Sequence, residues 1–106
     1  MSELICGFCN GNLLHGACNY CDILYGTTMF TIRFLFSENK ITFLSMKNFV
    51  RPNNYYIFYY FFDTKWCRLV SSSDFTTISE FTIDHLGSLE NLKKTIQKHL
   101  KYDYLS

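Results

Sequence analysis

Four of the five cysteines in this 106-residue chain are Cys6, Cys9, Cys18 and Cys21. They form two C-x2-C pairs separated by an eight-residue spacer. Thiolates are strong ligands of zinc and related ions, and a two-residue gap allows one tight turn to present both sulfurs to the same ion. Two such turns that face each other complete a tetrahedral shell. The spacing therefore predicts a metal site with these four cysteines as its ligands.

The residues that follow each pair bear on how readily it forms such a turn. The first pair is followed by Asn10 and Gly11, which both tolerate the positive φ that lets backbone N–H groups point at the sulfurs. The second pair is followed by Asp22 and lacks a glycine, so its turn is less typical. His15 in the spacer could replace one cysteine, but four cysteines already complete the shell. We therefore interpret His15 as a solvent-facing spacer residue.

The segment resembles a zinc ribbon built from two zinc knuckles, and the matching residues are Cys6, Cys9, Cys18 and Cys21, with Gly11 as the turn glycine. This resemblance implies one structural, tetrahedral zinc ion rather than a reaction, because a catalytic zinc keeps an open position for water. Other uses of the same four residues stay open: a rubredoxin-like iron site, an iron–sulfur cluster, two redox-active pairs or two disulfides. A thioredoxin-type motif would need to lie in a βαβ unit, and the residues after Cys21 do not predict one.

The remaining composition bears on compartment and origin. The first residues form no signal peptide, and the longest apolar run, at 55–62, is far shorter than the about 20 residues of a membrane span. We therefore expect an intracellular protein in a reducing compartment, where paired cysteines bind metal more often than they form disulfides. The abundance of Phe, Tyr, Asn, Lys and Ile indicates an AT-rich genome, which fits a virus, a phage, an organelle or some parasites.

The chain beyond the cysteines predicts strands followed by one helix. Period-two alternation indicates strands at 28–36, 41–46, 66–70 and 78–83, and the apolar run at 55–62 is typical of a central strand covered on both faces. Ser88 is a candidate N-cap for an amphipathic helix with an apolar stripe; the stripe residues are Leu89, Leu92, Ile96, His99 and Leu100. The expected fold is α+β: a zinc-binding ribbon at 1–26, then, at 27–106, an antiparallel sheet of four or five strands and the C-terminal helix.

Further candidate sites each have a simpler interpretation. The aromatic run at 55–62 could stack nucleic-acid bases if Arg33, Arg51 and Arg68 converged beside it, but a core strand is the simpler expectation. The lysine-rich face of the helix could bind phosphate, but a solvated face is more typical. Cys67 is expected to be a buried, inert thiol.

Catalytic patterns are weak. His85, with Asp84 beside it, and His99 belong to no recognisable constellation, and the sequence has no nucleophile elbow, phosphate loop or HExxH motif. We predict that the protein is not an enzyme.

Charge bears on the choice of partner. The formal charge is +1; four thiolates around one divalent ion contribute about −2 and bring the total to about −1. We therefore expect a small protein-interaction module held together by zinc, of viral or phage accessory or structural type. The alternative is a single-stranded nucleic-acid-binding protein that uses the ribbon and the aromatic sheet. Nucleic-acid binding is expected to be weak, and a membrane is not an expected partner.

Overall fold

The computed structural model describes residues 5–13, 16–45 and 52–105, with side chains described as far as residue 100. Seven strands precede one helix: β1 Ala17–Cys18, β2 Ile23–Tyr25, β3 Met29–Ser37, β4 Lys40–Phe43, β5 Tyr56–Phe61, β6 Trp66–Ser71, β7 Thr77–Thr82 and α1 Leu89–Leu105. All strand pairs are antiparallel, so the chain has an α+β fold. His15 and Arg51 lie outside the described residues. No helix in the described ranges has the length and hydropathy of a membrane span.

Strand β3 is the hub of the sheet, whose order is β1-β2-β3-β5-β6-β7 with β4 also on β3. β5 pairs along Met29–Phe34, which occupies one edge of β3. The other edge is shared, because β2 pairs with the stretch from Phe30 to Ile32 and β4 with the stretch from Phe34 to Ser37. The part of the chain that carries the four cysteines and ends with β2, called here the cysteine segment, is thus joined to the rest of the sheet through half of one edge of β3.

The sheet has more strands than the four or five expected from the sequence. Five of the seven, β3 to β7, lie within 27–106, and β1 and β2 come from the cysteine segment. These two strands have only two and three residues, too few for a period-two pattern to be visible. The expected division of the chain at residue 26 falls between β2 and β3, which pair with each other. That division stays a prediction.

The aromatic run at 55–62 forms the central strand β5 between β3 and β6, as predicted. Its two faces are covered differently. Phe58 and Tyr60 are buried on the face that also carries Phe30 and Leu69. On the opposite face Ile57 is buried, whereas Tyr59 and Phe61 are only half-buried. The sequence predicted that Ile57, Phe58 and most of their neighbours would be buried on both faces. Ile57 and Phe58 are buried, but only half of the eight residues are, and each face keeps partly exposed rings.

Helix α1 covers the face of the sheet that carries Phe58, called here the inner face. The helix begins after Ser88, whose Oγ accepts a hydrogen bond from the Asn91 N–H at 3.2 Å, which confirms the predicted N-cap. The predicted stripe faces the sheet, since Leu92, Ile96 and Leu100 are buried. His99 stacks on Phe81 of β7, with ring centroids 3.6 Å apart.

The cysteine segment covers another part of the inner face. Phe8 meets the ring of Phe30 edge-on, with centroids 5.9 Å apart. Tyr25 of β2 approaches the same ring at 5.6 Å. The helix and the cysteine segment therefore cover the same face of the sheet, and the face that carries Tyr59, called here the outer face, has no described helix over it.

Replacing Phe58 tests this assignment of the core. Its side chain is fully buried on the inner face, so Phe58→Ala should lower the free energy of unfolding by about 3–5 kcal/mol. The control Thr82→Ala, at an exposed position on β7, should change it by less than about 0.5 kcal/mol. Chemical denaturation measures both. A loss for Phe58→Ala as small as that of the control would show that the inner face is not the core.

Candidate metal centre

The four predicted ligand residues, Cys6, Cys9, Cys18 and Cys21, come together in space. Their sulfur atoms all lie within 4.8 Å of one another. The Sγ atoms of Cys6 and Cys21 are 3.9 Å apart, and those of Cys9 and Cys18 are 3.6 Å apart. Four sulfurs at about 2.3 Å from a tetrahedral ion would lie about 3.8 Å from one another. The cluster therefore has the dimensions of a shell around one metal ion.

The same distances bear on the disulfide alternative. A disulfide joins its sulfurs at about 2.05 Å, far shorter than either separation in the cluster. All five cysteines of the chain are free thiols. The geometry is that of a metal shell rather than of two cross-links.

Backbone N–H groups point at the sulfurs from two tight turns. Phe8 donates to Cys6 at 3.5 Å, Gly11 to Cys9 at 3.4 Å, and Cys21 to Cys18 at 3.4 Å. The first turn is closed by a hydrogen bond from the Cys6 N–H to the Gly11 carbonyl at 2.9 Å. Donors aimed at a sulfur favour its thiolate form, which is the form that binds metal.

Each turn contains one residue in the left-handed region: in the first turn it is Asn10, one of the two residues that the sequence indicated, and in the second it is Asp22. Asn10 has φ 60° and Asp22 has φ 59°, each directly after the second cysteine of its pair. Asn and Asp adopt this conformation more readily than other non-glycine residues. The glycine missing from the second turn is therefore not needed. Gly11 serves another purpose, since a Cβ there would lie 3.3 Å from the Cys9 sulfur.

The short strands of the segment hold the second pair in place. Cys18 ends β1 and pairs with Ile23 of β2, so the second C-x2-C pair forms the connection of a small hairpin. Cys6 and Cys18 are fully buried and Cys21 is nearly so, whereas Cys9 is exposed. The cluster thus lies at the surface with one ligand facing solvent.

Tyr25 is a member of the site that the sequence analysis missed. Its Oη accepts a hydrogen bond from the Gly7 N–H at 3.1 Å, and its O–H can donate to the Cys6 sulfur, 3.3 Å away. Burial, together with this contact, raises the pKa of Tyr25, so the O–H stays protonated as a donor. Tyr25 follows Cys21 by four residues, and only its pairing opposite Phe30 on β3 carries it back to the first turn. No spacing rule would have found it.

The cysteines compete for negative charge when no cation lies among them. Burial raises the pKa of Cys6, but hydrogen bonds from Tyr25 and from backbone N–H groups outweigh it and bring that pKa down to about 7. Burial raises the pKa of Cys18, and burial with contacts to the other cysteines raises that of Cys21. The Cys6 thiolate therefore forms more easily than the thiolates of Cys18 and Cys21. A bound divalent cation reverses this balance, so metal uptake must release protons.

The other predicted candidates lie elsewhere in the structure. Cys67 is fully buried, and burial raises its pKa to about 12, which confirms an inert thiol. His85 is exposed, and His99 lies against Phe81. Arg33 and Arg68 share the outer face with Tyr59, as the strand register shows.

Removing the exposed ligand tests the cluster. Cys9→Ser should abolish metal binding and unfold the segment up to residue 25, because metal binding contributes on the order of 10 kcal/mol at such sites. Cys67→Ser, the matched change outside the cluster, should leave the metal content unchanged. Elemental analysis measures the metal, and amide hydrogen exchange reports the unfolding. Equal metal content in the two variants would show that these sulfurs are not ligands.

Removing one hydroxyl tests the role of Tyr25. Tyr25→Phe keeps the ring but deletes the donor to Cys6, and loss of such an outer contact lowers metal affinity by about 10–100-fold. Tyr20→Phe, at a tyrosine that is 84% exposed, is the control and should have no effect. Competition with a chromophoric chelator measures both affinities. An unchanged affinity for Tyr25→Phe would mean that its hydroxyl does not support the site.

Comparison with known proteins adds no relative. The chain matches no protein-family model, no curated protein and no solved structure at a significant level. The resemblance to zinc ribbons therefore rests on the cysteine segment alone, and the function must be argued from the residues of this chain.

Proposed function

We propose that the cysteine cluster holds one structural zinc ion between two facing zinc knuckles. The proposal is supported by the sulfur separations of 3.6 and 3.9 Å and by the N–H donors at three of the four sulfurs. Four thiolates fill a tetrahedral shell and leave no position for a reacting water, so the ion has a structural role. A thiolate site of this kind suits a reducing compartment.

We further propose that the protein is a non-enzymatic interaction module whose partner is another protein. One observation carries this proposal: an open cavity of about 610 Å³, called here the N-terminal groove, lies against the metal centre, and the described residues that line it carry no charge. The lining residues are Ile5, Gly7, Leu13, Tyr25, Gly26, Thr27 and Phe62. Ile5 is 55% exposed and Phe62 is 37% exposed, so apolar side chains of this groove face solvent.

The character of the lining argues for an apolar segment of a protein as the occupant. Exposed apolar surface of this kind marks sites where another molecule completes the burial. Among the described residues the groove offers no cation for a phosphate, and the one titratable group in this described lining, Tyr25, stays protonated. Acid–base chemistry in the groove is therefore not supported, and neither is phosphate binding. A peptide segment with Leu, Ile or aromatic side chains fits this surface best.

The metal centre and the groove share Tyr25. Its ring lines the groove while its hydroxyl contacts the Cys6 sulfur. Ile5 directly precedes Cys6 and forms a bridge with Asn12 across the first turn. Two of the groove walls therefore depend on the cysteine turns, so the proposed role of the zinc is to keep the binding surface in shape.

The identity of the metal is tested on purified protein. Elemental analysis should find one zinc per chain, with loss of the ion on Cys9→Ser. Iron at one equivalent, with the absorption of an iron–thiolate centre, would overturn the zinc assignment and leave the four-sulfur site standing. Metal-free protein with a folded segment 5–25 would overturn both.

The protein partner is tested with a pair of surface variants. Affinity capture from cells that naturally contain the protein, with nuclease treatment, should retain a partner on the wild-type chain. Ile5→Glu places a charge in the N-terminal groove and should reduce the retained partner by tenfold or more. Phe75→Asn, on the distant outer face, should retain it. A partner held equally by all three proteins, or released by nuclease, would contradict the proposed groove.

A further inference from the structure

The outer face of the sheet gathers two arginines around one half-buried tyrosine. Tyr59 of β5 lies directly opposite Thr31 of β3 and Arg68 of β6. Arg33 is two residues along β3 from Thr31 and therefore lies diagonal to Tyr59 on the same face. The face thus carries cations beside an aromatic ring that solvent can reach.

A small cavity lies at this point of the face. Its volume is about 280 Å³, and it is lined by Met29, Tyr59, Phe61, Arg68, Val70 and Phe75. The volume is at the lower end of ligand pockets, which start at about 300 Å³. It suits one flat ring system rather than a whole cofactor. Aromatic rings form its walls, and the guanidinium of Arg68 is its only charged group among the described residues.

Phe75 is held in this cavity at a conformational cost. Its φ is 56°, in the left-handed region where a bulky side chain is an outlier, and 68% of the residue is exposed. The turn between β6 and β7 requires this φ, since the Phe75 N–H donates to the Ser71 carbonyl at 2.9 Å, as Lys65 with φ 58° does to Phe61 in the turn between β5 and β6. The turn does not require an aromatic side chain at this position, and an exposed ring offers a surface on which a base can stack.

Arg68 is positioned rather than loose. Its Nε donates to Thr77 Oγ1 at 2.7 Å, which fixes the guanidinium at the side of the cavity. Glu80 lies opposite Arg68 on β7 and is exposed. It is the one acidic residue at the described positions that pair with Arg68, Tyr59 or Arg33.

We propose that this outer-face cavity binds single-stranded nucleic acid. One unpaired base stacks in the cavity against Tyr59 and Phe75, while Arg68 and Arg33 contact the flanking phosphates. Single strands are bound in this way by aromatic rings interspersed with arginines, and bases inside a duplex cannot enter such a cavity. A flat aromatic ligand with an adjacent anion matches the lining better than an apolar peptide does. The site is separate from the N-terminal groove and does not depend on the function proposed for it.

The charge of the protein sets the expected strength. With a total near −1, binding should be weak and tolerant of sequence. Two arginine–phosphate contacts predict that log affinity falls by about 1.4 for each tenfold rise in salt, at about 0.7 per contact. The helix lysines lie with α1 on the inner side of the sheet and should not contribute.

The experiment uses the zinc-loaded full chain and labelled twelve-nucleotide strands of oligo-dT and oligo-U, with fluorescence anisotropy at several salt concentrations. Phe75→Asn removes the ring while keeping a residue that tolerates positive φ. It should weaken binding about tenfold or more without lowering the thermal midpoint. Arg68→Gln should lower the slope of log affinity against log salt by about 0.7, which corresponds to the loss of one phosphate contact. Glu80→Gln, which removes the neighbouring anion, should tighten binding. Tyr20→Phe, at an exposed position outside the cavity lining, is the control and should bind as the wild type does.

The result would overturn the proposal in any of four cases. In the first, the wild-type protein does not bind the single strands at 20 mM salt; in the second, Phe75→Asn binds them as tightly as the wild type does. In the third, the wild type binds the matching duplex more tightly than the single strands. In the fourth, the slope of log affinity against log salt corresponds to four or more phosphate contacts. A slope of that size would mean that the strand contacts cations outside this cavity. Stronger binding of an acidic, tyrosine-containing peptide than of the oligonucleotides would assign the cavity to a protein instead. Because purified components are used, this outcome is independent of whether the N-terminal groove retains its partner.

Discussion

Sulfur atoms packed within 4.8 Å of one another cannot all carry a negative charge unless a cation lies among them. The described part of the chain contains no lysine or arginine against this cluster, and the hydrogen bonds around it lower the pKa of only one thiol to about 7. The hairpin of β1 and β2, the turn around Asn10 and the Tyr25 hydroxyl all converge on the same four atoms. A metal ion bound to these four sulfurs would balance the charge at the point where the described parts of this segment meet.

The sheet divides the molecule into two chemically different sides. Its inner face is covered jointly by α1 and the cysteine segment, which meet the buried rings of Phe58 and Phe30. Its outer face keeps half-buried aromatics and arginines in reach of solvent. The apolar groove belongs to the metal end and the cationic cavity to the outer face. The two surfaces therefore differ both in place and in chemistry.

The sequence predicted those parts of the molecule that depend on local pattern. The cysteine spacing predicted the cluster, Ser88 predicted the helix start, and the apolar run predicted β5 as the central strand. Patterns of this kind reflect contacts between residues that are near in the chain or that repeat along one element.

The missed features depend on which strands pair. Tyr25 reaches Cys6 only because β2 lies against β3, and the two-residue strand β1 is too short to show a period. The outer face was expected to be buried because Tyr, Phe and Ile alternate without charge along β5. The arginines that change its character stand on the neighbouring strands, so only the register brings them beside Tyr59.

The divided edge of β3 links metal binding to self-association. β2 satisfies the backbone groups of the stretch from Phe30 to Ile32, and β2 belongs to the segment that carries the four proposed metal ligands. If the ion were removed and the segment came away, an apolar strand in the middle of the sheet would present unpaired N–H and C=O groups to solvent. An open edge of that kind recruits strands from other copies. Removal of the ion would then cause aggregation of molecules whose main core is still folded, at temperatures well below the one at which that core unfolds.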